Sequence, residues 1–418
     1  MDSIMRKSNQ EPGFKRGSTL YNGLAQPLRR DHAMKITDVK PIPTQPTEYS
    51  RRANRTWTFV QIDTDEGITG YGEATNYPGG GSLVVASTIN QVRETLIGED
   101  PFDIDRLWHK IFRRYTYLGS RGLVTAVISG IDIALWDIKG KALGRPIYEI
   151  LGGKFRDNIT MYANGWFTGC TTPEDFADAA AATVAQGYTA LKFDPFTHEM
   201  QPFHTGYVSG AISADGEELG MDKVAAVREA VGSKIEVLID AHGHYNVPTA
   251  IRIGNRLAEH SVTWYEEPVP PEGYAALAQV RQSVAAPICV GERLFTRYDF
   301  LPIFENRLAD YIMPDVVWTG GISELRKIAT MAEAYYIPVS PHNAMGSIQI
   351  IAGAHTMMTV PNFYRLEFSI AALESYNAVL DKPLDIRDGN LLLPTGPGLG
   401  YDLDTEFMAA HPDPAWNG

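Results

Sequence analysis

The sequence predicts an α/β protein made of an N-terminal α+β domain followed by a barrel of repeated strand–helix units. Up to about residue 155, short β-rich runs come first and long helical patterns follow. Eight apolar runs then alternate with helical patterns. Asp240, Glu266 and Glu292 end three of these runs, and 266 − 240 and 292 − 266 are both 26. A strand, a helix and their two loops take up about that many residues, so the spacing indicates βα units.

The N-terminal domain is predicted to span residues 34–155. Two β-rich runs, MKITDVKPI and TWTFVQIDTDEGITGYGEA, are predicted to form strands, with a hairpin turn at DEG. Helical periodicity follows in SLVVASTINQVRETLIGED, FDIDRLWHKIFRRYTY and SRGLVTAVISGIDIALWDIKGKALG. Residues 1–33 are polar and basic and have no apolar segment, so we expect a flexible extension there and not a secretory signal.

The barrel is predicted to span residues 156–379. Its eight strands are expected in ITMYANGW, TALKFDPF, EVLIDAHG, VTWYEEPV, PICVGER, DYIMPDV, YIPVSPHN and NFYRLEFS. The stretch 196–220 is longer than the other connections and holds His204 and Tyr207. A loop of this length at the mouth of a barrel favours a lid or a substrate-contacting element. The tail, about residues 380–418, returns to short strands and turns, which we expect to complete the N-terminal domain.

The composition limits the partners of the protein. The formal net charge of −13 argues against a nucleic-acid backbone or an anionic membrane, and a small molecule is the expected partner. No apolar run reaches the roughly 18 residues of a membrane span. The two cysteines, Cys170 and Cys289, lie far apart without metal-ligand spacing. They are expected to be free thiols in a reducing compartment, and we therefore expect a cytoplasmic protein.

Three carboxylates at successive strand ends predict a metal site. The C-terminal ends of barrel strands open onto one face, so Asp240, Glu266 and Glu292 are expected to converge there. A lone acidic residue at a strand end is more often a helix cap or a surface charge. Burial of three together without a cation would cost roughly several kcal/mol each, which favours a bound ion. Oxygen-only ligands favour one Mg²⁺ over zinc, which prefers His or Cys.

Two titratable residues continue the spacing, Asp315 in YIMPDV and His342 in PVSPHN. A single histidine is most often a satisfied core residue. Here, however, a carboxylate on the neighbouring strand would fix the tautomer of His342 and raise its basicity, as in a His–Asp dyad. Lys192 ends the second barrel strand. It is either a surface residue or, with its side chain pointing inward, a group that stabilises negative charge beside the metal.

A second histidine, His242, stands two residues after Asp240. Along a strand, side chains two residues apart point to the same face, so a metal ligand and a proton donor are expected to share one strand end. His244 is the alternative donor, although it falls further into the loop. Glu267 follows Glu266 and is expected to point the other way, as a structural partner.

Six motifs carry a resemblance to a known family. They are, in order, ISGIDIALWDIKGKALGRPIYEILGG, DAHGH, WYEEP, VGER, MPDVVWTGGISELRKIATMAEAYYIPVSPHN and LPTGPGLG. Together they resemble the enolase superfamily, in its mandelate racemase/muconate lactonizing enzyme-like branch, over about residues 34–405. The resemblance implies a modified TIM barrel, (β/α)7β, with an N-terminal α+β capping domain, and a homo-oligomer. It also implies one Mg²⁺ held by Asp240, Glu266 and Glu292, and removal of the proton α to a carboxylate.

Within this branch the chain is most similar to acid-sugar dehydratases of the galactonate and gluconate type. The similarity implies that His342, paired with Asp315, removes the C2 proton, and that His242 is the general acid that expels the 3-hydroxyl. It also implies that Glu367, in YRLEFS, hydrogen-bonds a substrate carboxylate oxygen, while Lys192 and Glu367 polarise the carboxylate. The predicted enzyme is a hydro-lyase that converts an aldonate to its 2-keto-3-deoxy product.

Three departures from the family pattern bear on the substrate. The second strand reads Lys-Phe-Asp and ends in Asp194, where racemases of the branch carry Lys-x-Lys, so a one-base elimination is favoured over racemisation. PHNAMG stands in place of PHCPLG of galactonate dehydratases. Residues 196–220 are an insert, in which a mannonate dehydratase-like use of Tyr207 is an alternative. The segment TNYPGGGS and Arg121 are candidate sugar contacts.

Two rival functions stay open at this point. One is an epimerase, racemase or cycloisomerase of the same superfamily, which product analysis in D₂O would separate from a dehydratase. The other is a catalytically silent sugar-acid-binding protein. Loss of a metal ligand would be the signature of such a protein, and all three predicted ligands are present.

Overall fold

The computed structural model describes residues 33–46, 56–76, 80–196 and 209–417. The flexible extension expected at residues 1–33 lies outside this part of the chain, except for its last residue. The strands are β1 Ile36–Thr44, β2 Trp57–Thr64, β3 Thr69–Glu73, β4 Ile159–Asn164, β5 Ala190–Phe193, β6 Glu236–Asp240, β7 Trp264–Glu266, β8 Ile288–Val290, β9 Tyr311–Ile312, β10 Leu366–Ser369, β11 Asp385–Arg387 and β12 Asn390–Leu392. The helices are α1 Gly80–Leu96, α2 Ile104–Arg114, α3 Leu123–Leu143, α4 Ile147–Ile150, α5 Pro173–Val184, α6 Ala214–Val231, α7 Val247–Glu259, α8 Tyr274–Ser283, α9 Thr296–Glu305, α10 Gly321–Ala334, α11 Ser347–Met357, α12 Leu373–Ala378 and α13 Thr405–Ala410, with a 3-10 turn at Ile370–Ala372.

The first three strands form an antiparallel sheet against which α1 and α3 pack, and α2 packs on α3. The predicted DEG turn joins β2 to β3, with Gly67 in the left-handed region at φ 73° and its N–H 3.2 Å from Thr64 O. β3 and α3 lie so close together that a Cβ on Gly72 would stand 1.9 Å from the carbonyl oxygen of Gly130. Only glycine fits there. α3 is buried almost all round because it lies between β3 and the barrel helix α10.

Within the part of the chain that the structure describes, the later strands form a closed barrel with eight strand positions and seven intervening helices. β4 to β9 pair in parallel in chain order, and β10 pairs with β4 to close the ring. Between β9 and β10, Val339 holds the position through single bridges to Ile312 and Phe363. Together with the antiparallel sheet and its helices, this arrangement confirms the predicted (β/α)7β barrel with an N-terminal α+β capping domain.

One predicted strand is absent from the described residues. The run YIPVSPHN was expected to form the seventh barrel strand, but Val339 alone bridges its neighbours. Pro338 and Pro341 flank this part of the run, and proline has no N–H to donate to a sheet ladder. Regular pairing therefore stops on both sides of Val339, and His342 follows at the C-terminal end of the barrel.

The C-terminal tail contacts both parts of the chain. β11 and β12 form a hairpin, and β12 pairs antiparallel with β4 through Asn390 and Thr160. Further along, Pro412 bridges Thr44 of β1. The tail thus touches the N-terminal sheet and also extends the sheet of the barrel, while the exact domain limits stay a prediction.

Apolar side chains fill the interior of the barrel and the space between its strands and helices. The buried cluster inside the ring consists of Tyr162, Ala190, Leu238, Trp264, Cys289 and Met313. In the described part of the chain, no helix combines the length and the apolar character needed to cross a membrane. Below its C-terminal mouth the barrel is therefore filled mainly by apolar side chains, whereas polar side chains collect at the mouth.

A buried histidine in α11 predicts a pH dependence of stability. The ring of His355 is fully buried, stacks on Tyr148 at a centroid distance of 5.5 Å, and places Nε2 2.9 Å from Leu399 O. Burial lowers the pKa of His355 to about 4, whereas an unfolded histidine has a pKa of about 6.5. Between these values the unfolded chain binds a proton that the folded chain does not. The contribution of neutral His355 to the free energy of unfolding is therefore fully present above about pH 6.5 and is lost as the pH falls toward 4.

We expect the His355→Gln variant to show a weaker acid dependence of the free energy of unfolding. Between pH 7 and pH 4.5, the wild type should lose about 2 to 3 kcal/mol more than the variant, because one pKa unit is worth about 1.4 kcal/mol. Urea denaturation followed by circular dichroism measures both values. A difference between the two proteins that stays constant over this pH range would contradict the assignment.

Candidate active site

Three buried carboxylates meet at the C-terminal ends of the barrel strands. Asp240 and Glu266 are the last residues of β6 and β7, and Glu292 lies two residues past β8. The parallel register sets Asp240 beside Glu266. One oxygen of each side chain lies within 4.8 Å of the others, and the exposed fractions are 2%, 0% and 7%. The fold therefore brings together the three predicted metal ligands, which we call the ligand triad.

The charge around the ligand triad fits a divalent cation. Burial and the nearby Asp240 raise the pKa of Glu266 well above its usual range, which indicates crowded negative charge. Lys192 lies inside this cluster, with Nζ 2.8 Å from Glu266, 3.2 Å from Asp240 and 3.0 Å from Glu367. One ammonium group faces four carboxylates when Glu292 is included, so negative charge remains uncompensated. A buried ligand set made only of oxygen suits a hard metal ion.

His342 and Asp315 form the predicted dyad. His342 Nδ1 lies 2.6 Å from Asp315 Oδ2, which keeps its N–H on that side and turns Nε2 toward the ligand triad, 3.3 Å from Glu292. Asp315 is fully buried and also accepts bonds from Val317 N at 2.8 Å and from Gln349 Nε2 at 2.6 Å. Burial opposes the charged imidazole, but the nearby carboxylates, led by Glu292, raise the pKa of His342 to about 9.

His242 also has an aspartate partner, which sequence reasoning missed. His242 Nδ1 lies 2.9 Å from Asp194 Oδ2, and its Nε2 lies 3.5 Å from Asp240 Oδ2. Burial opposes the charge on this ring as well, but Asp240 and Asp194 raise the pKa of His242 to about 10. Asp194 directly follows β5, and Phe193 is paired with Ile239. The register of the parallel strands is therefore the signal that places Asp194 next to the end of β6.

The geometry of His242 differs from the sequence-based expectation. Asp240 and His242 were expected to share one strand face, but β6 ends at Asp240. His242 has φ 47°, in the left-handed region that is uncommon for residues other than glycine, although Asn, Asp and His adopt it more often than the rest. Its N–H donates to Asp240 Oδ1 at 2.9 Å. The two side chains meet because of this tight turn and not because of strand alternation.

Glu367 on β10 is held by donors on both of its oxygens. Oε1 accepts from Asn164 Nδ2 at 2.6 Å as well as from Lys192, and Oε2 accepts from Asn343 N at 3.0 Å. Burial disfavours its charge, but Lys192 and His342 lower the pKa of Glu367. The carboxylate is thus an ionised acceptor in this arrangement. The role predicted for Glu367, a hydrogen bond to a substrate carboxylate oxygen, would require a protonated carboxyl group and stays a prediction.

The remaining sequence-based candidates lie in different places. Glu267 is an ion-pair partner of Arg293, which agrees with the structural role expected for it. Arg121 is exposed and forms an ion pair with Asp299 of α9. His204 and Tyr207, like residues 77–79 of the TNYPGGGS segment, lie outside the described residues.

Thr75, the first residue of TNYPGGGS, is linked to the His342–Asp315 dyad through Trp318. Trp318 donates its indole N–H to Thr75 O at 2.8 Å, and its ring lies 5.2 Å from the ring of His342. The N-terminal domain therefore covers the side of the site that holds His342. Trp318 was not singled out by the sequence, because its contact with Thr75 joins residues 243 positions apart.

The chain matches known families over both of its parts. Residues 33–152 match the N-terminal domain of the family described as mandelate racemase / muconate lactonizing enzyme. Residues 175–407 match the family described as enolase C-terminal domain-like. The two matches fall on the antiparallel cap and on the barrel.

Individual relatives show the same similarity along most of their length. D-gluconate dehydratase from Thermoproteus tenax is 34% identical over 374 residues, 89% of this chain and 73% of that protein. D-xylonate dehydratase from Haloferax volcanii is 35% identical over 363 residues, 86% of each chain. The crystal structure of a member of the enolase superfamily from Salmonella Typhimurium superposes with a TM-score of 0.84 at 34% identity, covering 91% of this chain and 98% of that one.

Binding of a divalent cation tests the ligand triad. Isothermal titration with MgCl₂ should show one ion bound per chain in the wild type. In Glu292→Gln the affinity should fall by more than about 100-fold, because loss of a group that merely orients a ligand already costs about 10- to 100-fold. Glu217→Gln is the matched control, since Glu217 is a buried carboxylate that pairs with Arg252 and Arg256 outside the site. Equal affinity in the wild type and in Glu292→Gln would rule the triad out as the ligand set.

Proposed function

The chain belongs to the mandelate racemase/muconate lactonizing enzyme group of the enolase superfamily, and we propose on this basis that it is a Mg²⁺-dependent hydro-lyase acting on aldonates. The reaction removes the C2 proton and the C3 hydroxyl as water, and the resulting enol becomes a 2-keto-3-deoxy sugar acid. The observation that carries the proposal is a pair of histidines, each bonded to its own aspartate and each next to a different member of the ligand triad. The relatives named as gluconate and xylonate dehydratases support the substrate class.

The ligand triad would hold one Mg²⁺ per subunit, since three buried carboxylates and no sulfur or nitrogen ligand favour this ion over zinc. Such an ion would supply electrostatic stabilisation for the negative charge that develops on the substrate carboxylate. Lys192 is placed to donate to the same carboxylate, because its ammonium group is buried within the cluster. Glu367 holds Lys192 in position through its Oε1 and contributes in this way to polarising the carboxylate.

His342 is the proposed base for the C2 proton. Because Asp315 accepts from its Nδ1–H, the lone pair of the neutral ring is on Nε2, which faces the ligand triad. Removal of the proton leaves an imidazolium that the buried Asp315 stabilises. The orientation of the ring thus sets which nitrogen accepts the proton.

His242 is the proposed general acid for the C3 hydroxyl. Asp194 accepts from Nδ1–H, so the second proton of the charged ring is on Nε2, beside Asp240. Transfer of this proton to the hydroxyl lets it leave as water. Asp194 and Asp240 favour the charged ring before the transfer, so His242 starts each cycle as an acid.

The rival functions are less compatible with this arrangement. A racemase of this group would have a second lysine base where Asp194 stands, and Asp194 is bonded to His242 instead. A catalytically silent binding protein has no need for a complete ligand triad beside two His–Asp pairs. Product analysis in D₂O separates these activities, because an epimer would carry deuterium at C2 without release of a keto acid.

We propose a cytoplasmic location and a homo-oligomeric state, both as predicted from the sequence and its resemblance. Cys170 and Cys289 are free cysteines, which is compatible with a reducing compartment. Size-exclusion chromatography with light scattering would measure the oligomeric state.

Removal of the base should abolish turnover. Wild-type protein with Mg²⁺ is expected to release 2-keto acid from at least one member of an aldonate library, and His342→Asn should lower kcat by about 100-fold or more, since general-base catalysis contributes about 10²- to 10⁴-fold. Semicarbazide or a coupled dehydrogenase detects the keto acid. Unchanged turnover in His342→Asn would remove His342 from the role of base.

Removal of the acid should separate the two halves of the reaction. In His242→Asn, the rate of keto-acid release should fall by about 100-fold or more, because the general acid is lost. In Asp194→Asn, the rate should fall by about 10- to 100-fold, because only the group that orients the acid is lost. Exchange of the C2 proton with D₂O, followed by NMR, should persist in both because His342 is intact. Loss of exchange along with dehydration would show that His242 acts before, and not after, the removal of the C2 proton.

A further inference from the structure

A buried carboxylate of the N-terminal domain binds the start of a barrel helix. Glu73 ends β3 and is fully buried. It accepts bonds from Gly346 N at 2.8 Å, Gln349 N at 2.9 Å and Thr75 Oγ1 at 2.7 Å. A Cβ on Gly346 would lie 2.5 Å from Glu73 Oε1, so glycine is needed for this approach. The carboxylate therefore fixes the first turn of α11 against the N-terminal domain.

The side chain of Gln349 continues this contact into the barrel. Its Oε1 accepts from Met345 N at 2.7 Å, which determines the orientation of the amide. Nε2 therefore faces Asp315 Oδ2 and donates to it at 2.6 Å. The same oxygen accepts from His342 Nδ1 at 2.6 Å. Glu73, Gln349, Asp315 and His342 thus form a continuous series of contacts, which we call the cap-to-base chain.

We propose that Gln349 is a positioning residue for the His342–Asp315 base, and that Glu73 makes this positioning depend on docking of the N-terminal domain. The inference rests on the proposed function only in taking His342 as the base. Gln349 and Val317 N hold one oxygen each of Asp315, so the carboxylate has a single orientation. Without the amide donor, Oδ2 of Asp315 keeps only its bond to His342 Nδ1, so the orientation of the carboxylate and of the ring is less restricted.

A second contact links the same cap segment to His342. Thr75 donates to Glu73 through its hydroxyl and accepts from the indole of Trp318 through its carbonyl, and Trp318 packs against the ring of His342. The base is therefore fixed at its ring and at its partner carboxylate by residues that contact β3 or its continuation. Because neither Gln349 nor Glu73 belongs to the ligand triad, their loss should affect kcat and leave KM nearly unchanged.

Two substitutions at Gln349 test the positioning role. Gln349→Met keeps the volume and removes the donor, and kcat should fall by about 10- to 100-fold at every pH, as for other groups that orient a functional side chain. Gln349→Glu replaces the donor by a carboxylate that can donate to Asp315 only when protonated. Its kcat should therefore decrease with rising pH over a range where the wild-type kcat does not. Thr356→Val, which removes a buried hydroxyl from the same helix, is the control and should keep the wild-type kcat.

A matched pair of buried carboxylates tests the coupling. Asp132 in α3 is also a buried carboxylate of the N-terminal domain, and it accepts from Ser323 N at 3.0 Å at the start of α10. Both Glu73→Gln and Asp132→Asn should lower the melting temperature, because each weakens docking onto a barrel helix. Only Glu73→Gln should lower kcat, by about tenfold. Equal losses of kcat in the two variants would overturn the coupling.

A measurement without substrate separates this inference from the proposed function. In Mg²⁺-loaded protein with ¹⁵N-labelled histidine, the Nδ1–H proton of His342 should give a low-field NMR signal, which His342→Asn identifies. The signal should shift or broaden in Gln349→Met and stay in Thr356→Val, whether or not aldonates are substrates. An unchanged signal in folded Gln349→Met, or a kcat equal to that of Thr356→Val, would overturn the positioning role of Gln349. Absence of turnover in the wild type would instead count against the proposed function.

Discussion

Concentrated negative charge at the mouth of the barrel is the constraint on which the rest of the site depends. Four carboxylates are buried there, and three of them, Asp240, Glu266 and Glu367, lie within 3.2 Å of the ammonium group of Lys192. A buried carboxylate that is charged without a partner destabilises the fold. One buried ammonium group cannot balance them, so the arrangement is stable in its charged form when a cation joins it. The same carboxylates raise the pKa values of His242 and His342, because negative charge favours the protonated rings. The proposed metal binding and the proposed acid–base chemistry therefore depend on one feature of the fold.

The N-terminal domain uses carboxylates in a different way. Glu73, Asp132 and Asp137 are buried and accept bonds from backbone N–H groups, at the starts of α11 and α10 and at Leu399 in the tail. Each bond satisfies a backbone donor that would otherwise be buried without a partner. The domain is therefore attached to the barrel by directional contacts, and these fix its position more closely than apolar packing alone. The fixed position of the domain matters at Glu73, because the helix that this carboxylate binds, α11, also carries Gln349.

The sequence was sufficient to predict the barrel, the ligand triad and the pairing of His342 with Asp315, for one physical reason. Strand–helix units of similar length bring residues of the same spacing to the same face, so periodicity alone locates them. The contacts of Asp194 and Gln349 depend on strand register and on a helix start, which leave no periodic signal. The run YIPVSPHN occupies the predicted position in the barrel but forms only single bridges at Val339, because its prolines have no N–H to donate to the sheet. The strand geometry predicted for His242 is wrong for a similar local reason, since a left-handed residue interrupts the alternation of side chains.

In the proposed mechanism, the residue at position 194 affects how the two histidines divide the acid and base roles. A lysine there would place a positive charge beside His242, disfavour its protonated form and remove the acceptor for its Nδ1–H. Asp194 instead places a negative charge beside His242, favours its protonated form and accepts from its Nδ1–H. His342 has a comparable aspartate, but its Nε2 faces Glu292 on the other side of the triad. The two similar pairs thus lie beside different members of the ligand triad, and the proposed roles follow from this placement: His242 beside Asp240 releases the leaving group, and His342 beside Glu292 accepts the C2 proton. A site organised in this way favours elimination over the exchange of a proton between two faces.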